Sequence, residues 1–299
     1  MTKGRELLLT GLGFRFGTNG PHAARTMMLE DIAFLASHLP VDASSADYAR
    51  EVIELNSLGT PTKKARELAL RHLGILYGLD SSLAIFRAFR RLWACDAAAR
   101  PVLALLAALA RDPLLRGTQT FVTSKQPGEA VTRDEIAGLL ASTHQDRFSP
   151  ASLKSFAQNV RGTWTQAGYL AGHSHKTRAV PVVTPTNVAF ALFLGHLEGL
   201  SGQRLFTSSW IKLLPGSPGE LEALANSASQ RGLLVFLNAG GVTRPPPGAA
   251  ETRRLGLSRR TARCVGRVQP ATLDFQDSGA AKPLRRSAPG RRQLSCPPC

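Results

Sequence analysis

Apolar residues recur every three or four positions along most of the chain, the spacing of helices that bury one face. Between residues 24 and 39, Met28, Ile32, Leu35 and Leu39 fall in phase and Pro40 ends the run, which predicts a helix. Ser44 or Ser45 caps a shorter helix carrying Tyr48, Val52, Ile53 and Leu55. The loop 56–61 then delivers Thr60 as N-cap and Pro61 as first-turn residue to a helix reaching Tyr77, with Leu68, Leu70, Leu73, Ile75 and Leu76 apolar and Gly78 as its cap. Ile85, Phe86, Phe89, Leu92 and Trp93 form the stripe of a helix over 81–95. Residues 97–110 are apolar on nearly every side, which places that helix at the centre of a bundle. Residues 111–128 read as a connection with short strand content at Thr120–Val122, and the glycines at 4, 11, 13, 17 and 20 make 1–21 an arm.

The pattern changes over 129–183. Thr132 and Glu135 have the spacing of a capping box, and Ile136, Leu139 and Leu140 follow on one face. After a polar break, Ser149 and Pro150 open a second helix in which Leu153, Phe156, Val160 and Trp164 form a stripe that Gly168 ends. The other face carries Ser152, Lys154, Ser155, Gln158, Asn159, Arg161 and Thr165. Tyr169–Gly172, the polar tip His173–Arg178 and Ala179–Val183 then read as strand, tip and returning strand. Helix, turn, longer helix and basic hairpin is the order of a winged helix-turn-helix unit.

Beyond it, Thr184 and Thr186 cap a helix over 187–200 that is apolar nearly all round, followed by a short helix at 205–214, a helix at 220–231 and a strand at 232–237. The expected fold is mainly α: a helical bundle with an inserted winged helix-turn-helix-like unit and a disordered C-terminal tail. The divisions are 1–128, 129–183, 184–242 and 243–299. The tail has no sustained hydrophobic period and is rich in Arg, Pro, Ala and Gly. A shifted reading frame in a GC-rich gene would give the same composition.

Charge refines this picture. The chain of 299 residues has a net charge of +16. Twelve of the 37 basic and three of the 21 acidic residues lie from Arg244 onward, so the tail carries +9 and the remaining body only +7. The body is therefore moderately basic, and its basic character is local. No acidic residue occurs between Asp146 and Glu198, whereas Arg147, Lys154, Arg161, Lys176 and Arg178 do. A surface without carboxylates can approach phosphate and release its counterions. Lys154, Ser155, Gln158, Asn159, Arg161, Thr165, Lys176 and Arg178 are the expected nucleic-acid contacts. Lys63 and Lys64 join them, because basic groups at a helix start oppose its dipole and so suit a polyanion; a solvated face is the simpler account of the same residues.

No catalytic set is present: there is no Walker A, H-E-x-x-H or G-x-S-x-G motif. Gly11-Leu12-Gly13 lacks the third glycine and the preceding strand of a dinucleotide loop. His144, His173 and His175 are loosely spaced and have no carboxylate or cysteine beside them, so no metal is expected. Cys95 stands alone in the body, and Cys296-Pro-Pro-Cys299 has no second pair, usage that suits a reducing cytoplasm. No signal peptide is expected at the N-terminus, and the best apolar run, 101–110, is too short to span a bilayer.

The loop Asn56-x-Leu58-x-Thr60 before Lys63, Lys64 and Arg66, the Leu-rich helical run after it and the segment Trp164-x-x-x-Gly168-x-Leu170 resemble the BrxA-like family of bacteriophage-exclusion (BREX) defence operons. The resemblance covers roughly the first 240 residues and leaves the tail without a counterpart. It implies a mainly helical, non-enzymatic accessory protein without a cofactor, whose partners are duplex DNA and other phage-defence proteins rather than a membrane or a small-molecule substrate. Two other expectations remain: a helical protein–protein adaptor in a defence complex, and an RNA-binding bundle that uses the Lys63–Arg71 helix.

Overall fold

A computed structural model describes residues 2–18, 20–144 and 147–234. Among these the architecture is helical, with a two-stranded sheet as its only β element. Helix α6 (Arg100–Arg111) is the axis. Every residue from Val102 to Asp112 is buried, and the helix packs against α4 (Lys63–Tyr77), α5 (Ala84–Cys95), α10 (Pro150–Gln166) and α11 (Pro185–Leu197). The all-round apolar pattern at 97–110 produces this position: a helix without a polar face has no side to give to water. α11 lacks a polar face for the same reason and is buried from Pro185 to Leu192.

Around this axis stand α1 (Lys3–Leu12), α2 (Leu29–His38) and α3 (Ser45–Ala49), which continues as a π-helical turn to Glu54. α7 (Pro113–Arg116) and α8 (Gln119–Ser124) follow α6, and α9 (Arg133–Thr143) precedes α10. α12 (Ser209–Leu213) and α13 (Pro218–Gln230) close the described chain.

Several boundaries differ from expectation. The glycine-rich arm is helix α1, which ends at Gly13 with φ 112°, a conformation that glycine adopts at little cost. The helix expected from residue 24 begins only at Leu29. Residues 21–23 form a 3-10 turn, and the backbone of 26–28 is engaged elsewhere: Met27 N–H donates to Thr163 Oγ1, and Tyr77 Oη–H donates to Met27 O. Thr62, not Thr60, caps α4. The strand expected at 120–122 is α8, preceded by α7, whose first turn Asp112 caps through Leu114 N–H and Leu115 N–H. The returning strand expected at 179–183 is not strand; β2 (Thr177–Arg178) lies within the expected tip and pairs antiparallel with β1 (Leu170–Ala171). Ala130 adds a bridge to Thr177, so residues 128–131 lie along the other side of β2. Gly232 to Leu234 are not strand; the rest of the strand expected at 232–237, and the tail, lie outside the described residues.

The expected divisions at 128 and 183 are crossed by buried hydrogen bonds. Trp164 Nε1–H donates to Thr118 Oγ1 at 3.0 Å and Tyr169 Oη–H to Leu213 O at 3.0 Å. A third link is entirely buried. His22 Nδ1 lies 2.7 Å from Asp112 Oδ2, and His22 Nε2 lies 2.7 Å from Thr163 Oγ1. With the ring proton on Nδ1 every group is satisfied: Nδ1–H donates to Asp112, the Thr163 hydroxyl donates to Nε2, and Met27 N–H donates to that hydroxyl at 2.8 Å. Burial alone would raise the Asp112 carboxyl, but the His22 ring and the N–H groups it accepts hold it below the usual range.

Thr163→Val keeps the side-chain shape and removes the hydroxyl, which leaves His22 Nε2 and Met27 N–H buried and unpaired. Unfolding free energy should fall by about 2–5 kcal/mol, since each orphaned buried group costs about 1–3 kcal/mol. A urea midpoint equal to that of the parent protein would show that the network adds nothing to stability.

Candidate nucleic-acid interface

The surface predicted to meet nucleic acid is built by α9, α10 and the hairpin. α9 starts where a full capping box fixes it: Thr132 Oγ1 accepts from Glu135 N–H, and Glu135 Oε2 accepts from Thr132 N–H. Lys125 ties this start to the preceding turn, with Nζ 2.7 Å from Glu129 Oε1 and 2.9 Å from Glu135 Oε1. α10 starts at Ser149, whose Oγ accepts from Ser152 N–H. Its buried stripe is Phe156, Ala157, Val160 and Trp164; Phe148 meets Phe156 edge-on at 5.0 Å and Trp164 meets Tyr169 at 5.2 Å.

The opposite stripe is Lys154, Gln158, Arg161 and Thr165, whose spacings of four, three and four put them on one side of the helix. Its N-terminal half is open: Lys154 and Gln158 are exposed, as is Ser155 beside them. Its C-terminal half is tied to the hairpin. Arg161 is 7% exposed and its Nη2–H donates to Ser174 O at 3.3 Å. Lys176 Nζ donates to Thr165 Oγ1 at 2.6 Å, and that hydroxyl donates to Arg161 O. Gly172 makes the tight turn possible, since a Cβ there would stand 2.1 Å from His175 O.

Three elements thus enclose a groove of about 510 Å³, lined by Ala130–Asp134, Gln158, Arg161 and Ser174–Thr177. Its cations are Arg133, Arg161 and Lys176, with His175 beside them; among the described residues Asp134 is its only carboxylate. Burial lowers the Arg161 guanidinium from its ordinary value, and the Arg133 charge lowers it further, against a smaller opposing effect of Asp134. Burial and then Arg161 do the same to Lys176. Like charges are therefore crowded here at a cost that an anion would relieve.

The other predicted contacts are placed differently. Asn159 turns from the stripe and its Nδ2–H donates to His22 O at 3.0 Å, in the contact that holds residues 20–28 against α10. Arg178 is buried. It donates to Tyr169 O and Ala179 O and lies over the Tyr169 ring at 5.0 Å, so it supports the sheet and has no free face for phosphate. Lys63 and Lys64 are exposed on the first turn of α4 and do not line the groove. The proposition that Lys154, Asn159 and Arg161 share one exposed side is corrected accordingly: Lys154 is open, Asn159 is committed to the arm, and Arg161 forms the floor of a groove. Sequence reasoning missed Arg133 and the segment 130–131. The signal for Arg133 was its place directly after the Thr132 cap, where its side chain leaves from a helix N-terminus.

His173 and His175 are exposed at the tip, and His144 packs edge-on against Phe148 at 5.6 Å. Among the described residues no group of three or more His, Cys, Asp or Glu side chains is placed to hold a metal ion, and no helix is long and apolar enough to cross a membrane.

The start of α9 gives a pH signature. Thr132 N–H, then Lys125, pull the Glu135 carboxyl from its ordinary 4.5 to about 2. A carboxyl depressed by folding contributes stability above its unfolded value, and that contribution is lost as pH falls through the folded value. Between pH 4.5 and about 2 the parent protein should therefore lose more stability than Glu135→Gln, measured by urea midpoints along a pH series. Parallel curves would show that the capping box does not hold the charge. No protein-family model and no curated protein matches this chain.

Proposed function

We propose that this protein is a non-enzymatic DNA-binding accessory component of a bacterial phage-defence system of the BREX kind, and that it meets duplex DNA through a winged helix-turn-helix-like unit spanning 129–183. The observation that carries the reading is the open stripe Lys154, Ser155 and Gln158 on α10, next to a groove lined by Arg133, Arg161 and Lys176. Lysine supplies a phosphate contact, and glutamine and serine can pair with base edges. The order of elements supports it as well. A short extended segment, a helix, a turn, a second helix and a hairpin follow one another, and the extended segment pairs with the second hairpin strand. In winged units that order leaves the second helix free to enter the major groove while the hairpin tip reaches the backbone. The defence role rests on the resemblance carried by Asn56-x-Leu58-x-Thr60 and Trp164-x-x-x-Gly168-x-Leu170.

A protein adaptor is the second reading. It is favoured by Leu7 and Leu8 on α1, which are 76% and 61% exposed and turn apolar surface to solvent.

Lys154→Ala with Gln158→Ala removes only exposed groups and should leave the fold intact. Affinity for duplex DNA should fall by about tenfold or more, the equivalent of about 1.4 kcal/mol, and the slope of log affinity against log salt should flatten by about 0.9 for the one lost phosphate contact. Fluorescence anisotropy across a salt series measures both. Unchanged affinity and slope would remove α10 as the contacting helix. Genes for a methyltransferase, an alkaline-phosphatase-like protein and a large ATPase beside this one would support the defence assignment; a neighbourhood without them would count against it.

A further inference from the structure

The groove between α9, α10 and the hairpin has properties that the major-groove contact does not use. Arg161 is more than nine-tenths buried, yet its guanidinium is mostly unspent. Nη2 donates to Ser174 O, Nε is buried without an acceptor, and Nη1 has none among the described residues. Nε of Arg90 and of Arg178 is likewise buried without an acceptor, but both terminal nitrogens of Arg90 and all three nitrogens of Arg111 are spent on carbonyls. Arg90 donates to Ala36, Leu39 and Pro40, and Arg111 donates to Gly13, Gly74 and Ile75. Arg161 lines the groove with an Nη1 that has no acceptor among the described residues, and an anion would supply one.

The other walls suit the same anion. The groove takes in the first turn of the 11-residue helix α9. Its capping box satisfies the amides of Thr132 and Glu135, while those of Arg133 and Asp134 have no partner among the described residues. Two free N–H groups at the positive end of a helix dipole form an anion cradle. Arg133 and Lys176 add cationic side chains. Among the described residues the one lining carboxylate is Asp134, 80% exposed and 3.6 Å from Arg133 Nε, and the three cations outnumber it. Glu135 is held by the capping box and Lys125.

We infer that this groove binds a single phosphate group. Arg161 meets a phosphate oxygen with Nη1, the Arg133 and Asp134 amides meet a second, and Lys176 and Arg133 complete the charge. Because the same guanidinium holds Ser174 O, an occupied site also fixes the hairpin tip against α10. The site stands on the groove itself; only the source of the phosphate, a DNA backbone or a free phosphate, rests on the reading of 129–183 as a DNA-binding unit.

Titration of the full-length protein with inorganic phosphate at constant ionic strength tests this, followed by nitrogen–proton NMR. The Arg161 Nε–H signal is assigned by its absence in Arg161→Lys. Saturable shifts are expected at Arg161 Nε–H and at the amides of Arg133, Asp134 and Lys176, with none at Lys63 and Lys64. Arg161→Gln should weaken binding at least tenfold. Should that variant fold poorly, Arg133→Gln removes an exposed side chain and should weaken binding several-fold. Failure of the groove signals to saturate, or equal shifts at Lys63 and Lys64, would overturn the site. Duplex DNA added to the phosphate-loaded protein identifies the source: displacement of inorganic phosphate assigns the groove to a backbone phosphate, and simultaneous binding assigns it to a free one. If phosphate binds and duplex DNA does not, the groove stands and the DNA reading falls. If duplex DNA binds through Lys154 and Gln158 while phosphate does not, the reverse holds.

Discussion

One buried hydrogen-bonded chain, Asp112–His22–Thr163, joins the parts on which the rest of the molecule depends. Asp112 lies at the end of the central helix α6 and caps α7; His22 belongs to the 3-10 turn Pro21–Ala23; Thr163 faces inward from α10. All three are essentially inaccessible to water. The arrangement admits no substitute at several positions. A Cβ on Gly20 would stand 1.7 Å from Asp112 Oδ1, and one on Gly162 would stand 2.8 Å from the Thr26 methyl. Buried polar groups of this kind stabilise only when every member is paired, and here each one is. The orientation of α10, and with it the face that carries Lys154 and Gln158, is therefore set from the inside by the arm and the axis of the bundle.

Arginine has a second structural role that total charge conceals. Arg90 covers carbonyls at the end of α2, Arg111 those at the end of α4 and Arg116 those at the end of α6. Helix C-termini carry unpaired carbonyls and partial negative charge, and a guanidinium offers several donors in a fixed plane. Three of the body's 25 basic residues are spent in this way. Arg178 belongs to the same class, since it serves two backbone carbonyls and a tyrosine ring. The surface available to a polyanion is narrower than the composition suggests; other cations, Lys63, Lys64, Arg87 and Arg91 among them, are exposed away from the hairpin.

The candidate site was partly legible in the sequence. Lys154, Ser155 and Gln158 were expected on the open face of α10 and lie there, because helix periodicity alone decides which side opposes Phe156, Val160 and Trp164. Arg161 and Thr165 share that stripe, yet the hairpin tip folds over them. Periodicity reports the angle around one helix and cannot report what a later segment places on it. Asn159 was lost to the arm and Arg178 to the sheet for the same reason.

What the sequence determined by itself was local. The capping boxes at Thr132 with Glu135 and at Ser217 with Glu220, the Ser149 cap before Pro150 and the central place of α6 each depend on residues within a few positions of one another, or on the overall apolarity of one segment. What only tertiary structure decided involves partners far apart in the chain. His22 meets residues 90 and 141 positions away, which stops α2 from starting at residue 24. Asp112 turned an expected loop into α7, and residues 128–131 found β2 nearly fifty positions later. A hydrogen bond between neighbours carries almost no entropy of closure and so leaves its mark on sequence spacing; one across a hundred residues forms only after the core has brought its partners together.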